Sequence, residues 1–382
     1  MVRIAIFTAG NSGKRILELC KKMDNVIICA FVDNNANLYA KTIESIPIIS
    51  PYKIKYLIEK GEIDFVIVPS DRMISYGLRE HINQLNKLNI KKYKILPSWL
   101  IRKPRIEKDD VNIASDILMN GKYGEINQLQ HIQFHVIDNC NLNCRRCQHF
   151  SNIAEKESFA DFDVVKKDFI RLSHLVDDIN TIAILGGEPL LNPQLEEYIK
   201  MIRSLFPHSR LEIITNGILV RKMPQTLIDS INDNDALVNV SYYPVLENCI
   251  EDIVNFLQNN KIHYLIGKHI DYFSKKLSLT PEKLPAVDMQ TKFDNCRDAC
   301  CTTLRNGKLY PCYLPATAFV LNKRFGCNIG DNDSGINIYD NISGFEIIKR
   351  LSQPFNICRY CTNDEIYSWE QTRRVELSDW VV

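Results

Sequence analysis

The chain has 382 residues, 45% of them apolar, and its 47 basic and 46 acidic side chains leave a net charge of +1. That length calls for two or three domains, and the balanced charge argues against nucleic acid or a membrane surface as partner. Met1-Val2-Arg3 leads straight into an apolar run, no apolar stretch nears the ~20 residues that span a bilayer, and there are thirteen cysteines, so metal or redox chemistry in a reducing, cytoplasmic compartment is expected.

Taken in chain order, the first hundred residues alternate strand and helix patterns. Strands are predicted at Arg3–Phe7, Val26–Val32, Ile46–Ile49, Ile63–Val68 and Lys92–Leu96. Helices are predicted at Ser12–Met23, with Ile16, Leu17 and Cys20 on one face, at Lys53–Lys60 and at Met73–Leu88. The alternation predicts a doubly wound parallel sheet over residues 1–105. Residues 106–128 are polar and mixed, and read as a linker with a short helix near Ser115–Met119.

A second α/β series occupies residues 129–267. Its predicted strands are Ile132–Ile137, Thr181–Leu185, Leu211–Ile214, Leu237–Ser241 and Ile262–Ile266. Helices are predicted at Val164–Leu175, Pro193–Phe206, Gln225–Ile231 and Leu246–Asn259. The pattern predicts an open, partial (β/α)6 barrel. Residues 268–382 break the rhythm, hold seven of the thirteen cysteines, and read as a separate C-terminal module.

In a β/α barrel, chemistry sits on loops at the C-terminal ends of strands. Cys140, Cys144 and Cys147, spaced C-x3-C-x2-C, follow the first barrel strand. Gly186-Gly187-Glu188-Pro189 follows the second, Thr215-Asn216-Gly217 the third, and Ser241 ends the fourth. Iron–sulfur clusters are held by thiolates and a cubane normally takes four, so three can leave one iron open to another ligand. A zinc ion on the three cysteines and His149 is the alternative for these donors.

This set resembles the radical S-adenosylmethionine (SAM) superfamily over roughly residues 130–267. The resemblance implies a [4Fe–4S] cluster on Cys140, Cys144 and Cys147 whose open iron binds SAM. It places the methionine end of SAM on Gly186, Gly187, Glu188 and Pro189, and its ribose and carboxylate near Thr215, Asn216 and Ser241. Where the family carries an aromatic residue before the third cysteine, this chain has Arg146, with His149 and Phe150 as nearby substitutes.

In the C-terminal module, Asn306-Gly307 is a type I′ hairpin signal that pairs Arg305 with Lys308 and so sets Cys301 opposite Cys312. Cys358 and Cys361 supply a C-x2-C chelate further on. The run from Cys296 through Gly307 to Cys312, then Cys358 and Cys361, resembles the auxiliary-cluster module of the SPASM/twitch subgroup. The resemblance implies a second [4Fe–4S] cluster on Cys296, Cys312, Cys358 and Cys361, with Cys301 or Cys300 as alternatives to Cys296. A zinc ribbon is the other reading of this set. Cys327, in the expected loop Arg324–Asn328, is a candidate hydrogen-atom donor, or an idle thiol.

Near the N-terminus, Thr8-Ala9-Gly10-Asn11-Ser12-Gly13 matches G-x-G-x-x-G except at Thr8. Gly10 and Gly13 would let backbone N–H groups hold a pyrophosphate, and Asp33 lies where an acidic residue bonds a ribose hydroxyl. The segment resembles the Rossmann-like domains of bacterial sugar-nucleotide and polysaccharide enzymes, which implies nucleotide binding or a fold retained without ligand.

The resemblances together imply an enzyme in which a reduced cluster splits SAM into methionine and a 5′-deoxyadenosyl radical that takes hydrogen from a substrate. The expected reaction is oxidation or epimerisation of a sugar or sugar nucleotide, with a flavodoxin or ferredoxin as electron donor. The alternatives are a peptide-maturing SPASM/twitch enzyme and a non-catalytic iron–sulfur scaffold.

Overall fold

The computed structural model describes residues 1–69, 75–97, 100–101, 105–124, 128–330 and 335–382. It divides into two units, Met1–Gln130 and His131–Val382. Among the described residues, no helix is long and apolar enough to cross a membrane.

In the first unit the elements run β1 (Val2–Phe7), α1 (Asn11–Cys20), β2 (Val26–Val32), β3 (Thr42–Ile43), β4 (Ile46–Ile49), α2 (Pro51–Glu59), β5 (Phe65–Pro69), α3 (Ser75–Lys87), β6 (Tyr93–Leu96) and α4 (Lys108–Asn120). The sheet order is β3-β4-β2-β1-β5-β6, parallel except for the β3–β4 edge. The chain starts at the centre and winds outward both ways, as the doubly wound prediction requires. Strand alternation then serves both faces. Ile4 and Ile6 of β1 share a core with Ile16, Leu17, Ala114 and Leu118, while Ala5 and Phe7 pack with Ile54 and Leu85.

The segment expected to be a linker behaves differently. Its 13-residue helix α4 buries Ala114 and Leu118 in the core of this unit. Val111, Ala114 and Leu118 have the spacing of one helical face, but the charged and polar residues between them hide it. Lys94 Nζ donates to Leu118 O (2.7 Å) at the helix end, where carbonyls lack partners and a cation is favoured. Residues 73–74 of the predicted helix Met73–Leu88 and 125–127 of the predicted linker lie outside the described residues.

The second unit begins with β7 (Ile132–Ile137), α5 (Phe162–Ser173), β8 (Thr181–Gly186), α6 (Leu195–Leu205), β9 (Arg210–Thr215), α7 (Gln225–Asp233), β10 (Ala236–Val240), α8 (Ile250–Asn259) and β11 (Tyr264–Ile266). β7 to β11 are parallel neighbours in that order. Residues facing the helices, such as Leu211, Ile213, Val238 and Val240, are buried, while Glu212, Asn239 and Ser241 on the opposite face are partly open.

The remainder comprises β12 (Tyr272–Leu277), α9 (Ala286–Asp294), β13 (Thr303–Arg305), β14 (Lys308–Tyr310), α10 (Tyr313–Phe325), β15 (Ile336–Asn337), α11 (Gly344–Leu351) and β16 (Cys361–Ser368). The turn at Asn306 (φ 48°) and Gly307 (φ 71°) joins β13 to β14, and Arg305 pairs with Lys308 as expected. This hairpin does not stand apart from the barrel. Thr303 pairs with Gln133 of β7, and Gln133 Nε2 donates to Thr303 Oγ1 (3.1 Å), so one sheet runs β11-β10-β9-β8-β7-β13-β14-β15. β12 leaves that sheet and pairs antiparallel with β16. The expected loop around Arg324 begins later than predicted, because α10 continues to Phe325 and stops at Gly326 in left-handed backbone (φ 67°).

Candidate active site at the strand ends

β7 hands over to a loop that carries Cys140, Cys144 and Cys147, shaped by left-handed backbone at Asn143, Arg146 and Phe150. Burial pushes the Cys140 thiol up to about 12, and nearby Glu188 and Cys147 add to the rise. Burial also raises Cys144, helped by Cys147 and Cys140, so the three sulfurs are electrostatic neighbours. N–H groups are aimed at them. Leu142 N and Asn216 Nδ2 each reach Cys140 Sγ at 3.4 Å, and Trp369 Nε1 reaches Cys144 Sγ at 3.2 Å. Burial raises the Cys147 thiol as well, and the backbone N–H groups of Ser151, His149 and Phe150 offset part of that rise. Three thiols, one buried and two half-buried, with N–H donors aimed at them suit thiolates that bind metal, since the metal takes the place of the protons. The donor set therefore fits a thiolate-bound cluster. A single zinc ion is a poorer fit. His149, the fourth donor that a Cys3His zinc site would need, is bonded to His135 instead.

The glycines at the end of β8 have a local duty. A Cβ on Gly187 would stand 2.1 Å from Asn139 O, and one on Gly186 2.1 Å from Ile137 O. The backbone they approach is thus the start of the cluster loop, where Gly187 N donates to Ile137 O (2.9 Å) and Glu188 N to Asn139 O (3.2 Å). Gly187→Ala is expected to push the two loops apart and lower the melting temperature by several degrees, checked by thermal denaturation beside a control at the exposed Gly10, Gly10→Ala, where the backbone is extended and a Cβ meets no atom closer than 3.4 Å.

Glu188 is fully buried and ties three loops together. Thr215 Oγ1 (2.7 Å) and Leu190 N (3.1 Å) donate to its Oε1, and Asn216 N (2.8 Å) donates to its Oε2. Burial pushes its carboxyl up to about 7 despite those three bonds. Asn216 then reaches Asn141 Oδ1 (2.8 Å) and Cys140, and Ser241 N donates to Thr215 O (2.8 Å). Pro189 opens the short turn that carries Leu190. Cys140, Glu188, Thr215, Asn216 and Ser241 thus meet at one end of the sheet.

The aromatic substitutes named above are engaged elsewhere. Phe150 is 1% exposed in a core with Leu277, Leu321 and Trp380. His149 Nδ1 lies 2.9 Å from His135 Nε2, and its ring stacks on Tyr313 at 4.5 Å. Arg146 lies over Tyr367 (4.2 Å) and pairs with Glu370 (3.1 Å). An aromatic ring near the site is that of Tyr243, which is half-buried and feels the charges of Cys144, Cys147, Cys140 and Glu188. It stacks on Trp369 at 5.8 Å. Tyr243 follows the strand-end residue Ser241 by two positions, which was the available signal; Trp369 had none.

A further polar group that the sequence reading missed lies beneath the loop. Arg305 grips Asp138 with two bonds of 2.8 and 2.7 Å, and His135 Nδ1 lies 3.0 Å from the same carboxylate. Burial alone would raise the Asp138 carboxyl, but Arg305 and His135 hold it well below the usual range. Arg305 is carried by the hairpin, so docking of β13 fixes the residue two places before Cys140.

Of the C-terminal cysteines, Cys312, Cys358 and Cys361 are brought together. Burial raises the Cys312 thiol, and Cys361 and Cys358 raise it further. Cys301 is raised first by its bond with Cys300, then by burial, and it feels Cys312 as well. The hairpin ladder ends at Thr303–Tyr310, so Cys301 and Cys312 lie beyond the last pair. Cys296 is exposed. Cys327 packs at the edge of the core that also holds Cys312, Cys358 and Cys361.

In the first unit, Ala9 N donates to Asp33 Oδ2 (2.8 Å), Asn35 N to Asp33 Oδ1 (2.9 Å) and Gly10 N to Thr8 Oγ1 (3.2 Å). The amides of Ala9 and Gly10 and the Asp33 carboxylate are therefore engaged within the chain itself. A Cβ on Gly13 would stand 2.1 Å from Thr8 O, so this glycine serves the packing of α1 against its loop.

Residues 134–242 match the model of the radical SAM superfamily, and residues 1–96 match the C2185-like, N-terminal family. The chain is similar to the GTP 3′,8-cyclase of Helicobacter pylori (strain ATCC 700392 / 26695), 27% identical over 143 residues, 34% of this chain and 44% of the relative. It is similar to that of Sulfurovum sp. (strain NBC37-1), 32% identical over 106 residues, 27% of this chain and 31% of the relative. The chain thus spans less than half the length of these curated relatives. Among solved structures, one of BtrN in complex with AdoMet and 2-DOIA aligns at 18% identity and a TM-score of 0.39, over 66% of this chain and 98% of the other. UDP-D-quinovosamine 4-dehydrogenase from Vibrio fischeri aligns at 21% identity and a TM-score of 0.23, over 33% of this chain and 93% of the other.

Proposed function

We propose that this chain, whose residues 134–242 match the model of the radical SAM superfamily, cleaves SAM to oxidise or epimerise a sugar or sugar nucleotide. The observation that carries the reading is the link from the thiol of Cys140 to the buried Glu188 through Asn216, which donates to both Glu188 and Cys140. Bound there, the cluster and SAM supply a carbon-centred radical able to take hydrogen from an unreactive carbon. The protein's own task is orientation and exclusion of water. Cys140, Cys144 and Cys147 hold the cluster. Glu188 presents a carboxylate to the ammonium group of SAM, and Thr215 and Asn216 fix its direction. Tyr243 and Trp369 close the site with apolar surface.

Cys312, Cys358 and Cys361, with Cys301 in preference to the exposed Cys296, would hold the second cluster. A second cluster there would accept the electron that the substrate radical gives up, with a proton lost to solvent, to leave an oxidised carbon; a hydrogen atom given by Cys327 would instead leave an epimer and a thiyl radical, restored to the thiol by an electron from the external reductant and a proton from solvent. The sugar-nucleotide part of the reading rests on fold-level analogy of the first unit and is the part most exposed to test.

Anaerobic reconstitution should load about eight irons per chain. Deuterated sugar nucleotides, offered in turn with SAM and dithionite, should transfer deuterium into 5′-deoxyadenosine for one of them. Transfer from none, with SAM still cleaved, would remove the sugar assignment and favour a peptide substrate. No cleavage by the loaded protein would remove the enzymatic reading.

A further inference from the structure

The chain that follows β16 lies along the cluster loop. Residues 369 to 372 each bond to it or to its cysteine. Trp369 Nε1 donates to Cys144 Sγ (3.2 Å), and Glu370 O accepts from Arg145 N (2.9 Å). Gln371 Nε2 donates to Leu142 O (2.6 Å), and Thr372 N to Asn143 O (3.0 Å). The Glu370 carboxylate accepts from Arg145 (2.9 Å) and Arg146 (3.1 Å). Further on, Trp380 Nε1 donates to Cys147 O (2.8 Å), and Asp379 accepts from Arg145 Nε (2.6 Å). The indole is fixed from the other side too, by Trp369 N donating to Asp271 O (2.8 Å) and by its stack on Tyr243.

We propose that Trp369 is a positioning residue that raises the reduction potential of the cluster held by Cys140, Cys144 and Cys147. The proposal rests on the cluster reading above. An N–H bond to a coordinating thiolate draws off electron density, and so favours the reduced, more negative form. Leu142 N and Asn216 serve Cys140 in this way; Trp369 serves Cys144. Backbone bonds at 145 and 143 set the register of the segment, so the indole N–H is delivered to the sulfur by a ladder and not by one free rotamer. The chain thereby ties its C-terminal segment, which starts from Cys361, to the electronic state of a cluster loop more than two hundred residues earlier.

The test is a dithionite titration of the reconstituted full-length chain, followed by electron paramagnetic resonance. The signal that SAM perturbs identifies the cluster in question. Trp369→Phe should keep its iron and its melting temperature. Its reduced-to-oxidised ratio at a fixed potential should fall about tenfold, which is ~59 mV for one electron. Gln371→Ala loosens the same segment without touching sulfur and should leave the midpoint where it is. A fully loaded Trp369→Phe with an unchanged midpoint would overturn the proposal, as would an equal shift in both variants. If the phenylalanine variant loses iron, benzothienylalanine at 369 keeps the fused ring, lacks the N–H, and should give the same shift. A wild-type protein that takes up no cluster would fail at the earlier reading, and iron analysis tells that case apart from an unshifted midpoint.

Discussion

Replacing Cys144 by alanine is expected to remove about four irons per chain and to abolish formation of 5′-deoxyadenosine, while the fold persists. Cys144 is 7% exposed, accepts from the Trp369 indole and feels the charges of Cys147 and Cys140. Loss of one sulfur leaves two thiols, too few to retain a cluster that already offers one iron to a non-protein ligand. The cost to folding is small by comparison. The loop remains anchored by the Trp380 bond to Cys147 O and by Arg145 to Asp379, and trimming one buried sulfur costs about 1–2 kcal/mol. Iron and sulfide analysis, product chromatography and a melting curve read the three consequences separately. Irons remaining in the variant report the C-terminal set: about four per chain are expected if Cys312, Cys358 and Cys361 hold a second cluster. Full iron content in Cys144→Ala would show that the first set is not a cluster site.

SAM should bind more tightly as pH rises from 6 to 7.5, and Glu188→Gln should weaken binding about tenfold or more at the upper pH. The carboxyl of Glu188 is lifted to about 7, first by burial, with Asn216, Thr215 and Leu190 pulling the other way. In the SAM-free fold the protonated acid is therefore favoured below about pH 7. Its stabilising contribution is complete below the ordinary carboxyl value, and is lost as pH rises through about 7, a change of about 3 kcal/mol. Binding a cationic ammonium group needs the ionised form, whose fraction grows roughly eightfold between pH 6 and 7.5. The glutamine variant lacks the charge and leaves one N–H donor facing an amide N–H2. Its buried bond to Asn216 or Thr215 is lost at a cost of about 1–3 kcal/mol, so its melting temperature should fall as well. Equilibrium dialysis with labelled SAM at the two pH values checks the first claim. A pH-independent affinity in the wild type would contradict a carboxylate–ammonium contact at Glu188.

The parts of this protein that repeat at short range were legible in the chain. The period-2 and period-3.6 patterns marked the strands of both sheets, because local alternation is what buries one face of a strand or helix. Asn306-Gly307 specified its turn and the register of Arg305 with Lys308 for the same reason: both residues must take left-handed backbone. The three cysteines, the glycine pair and Asn216 were recognisable because each follows a strand end, the place where a parallel sheet exposes its loops.

Tertiary structure decided what joins those ends. α4 looked like a linker, since its apolar face is narrow and the core it joins is built from β1 and α1 at the far end of the unit's sequence. The C-terminal residues looked like a separate module, yet the hairpin continues the barrel sheet through one pairing, Thr303 with Gln133. The role of Gly186 and Gly187 against residues 137–139, the grip of Arg305 on Asp138, and the contact of Trp369 with Cys144 span from about 50 to 225 positions. No periodicity carries such pairings. The sequence by itself determined which residue types stand at the strand ends; the packing of distant segments determined which sulfur, carboxylate and indole face one another there, because those distances are set by where whole elements dock.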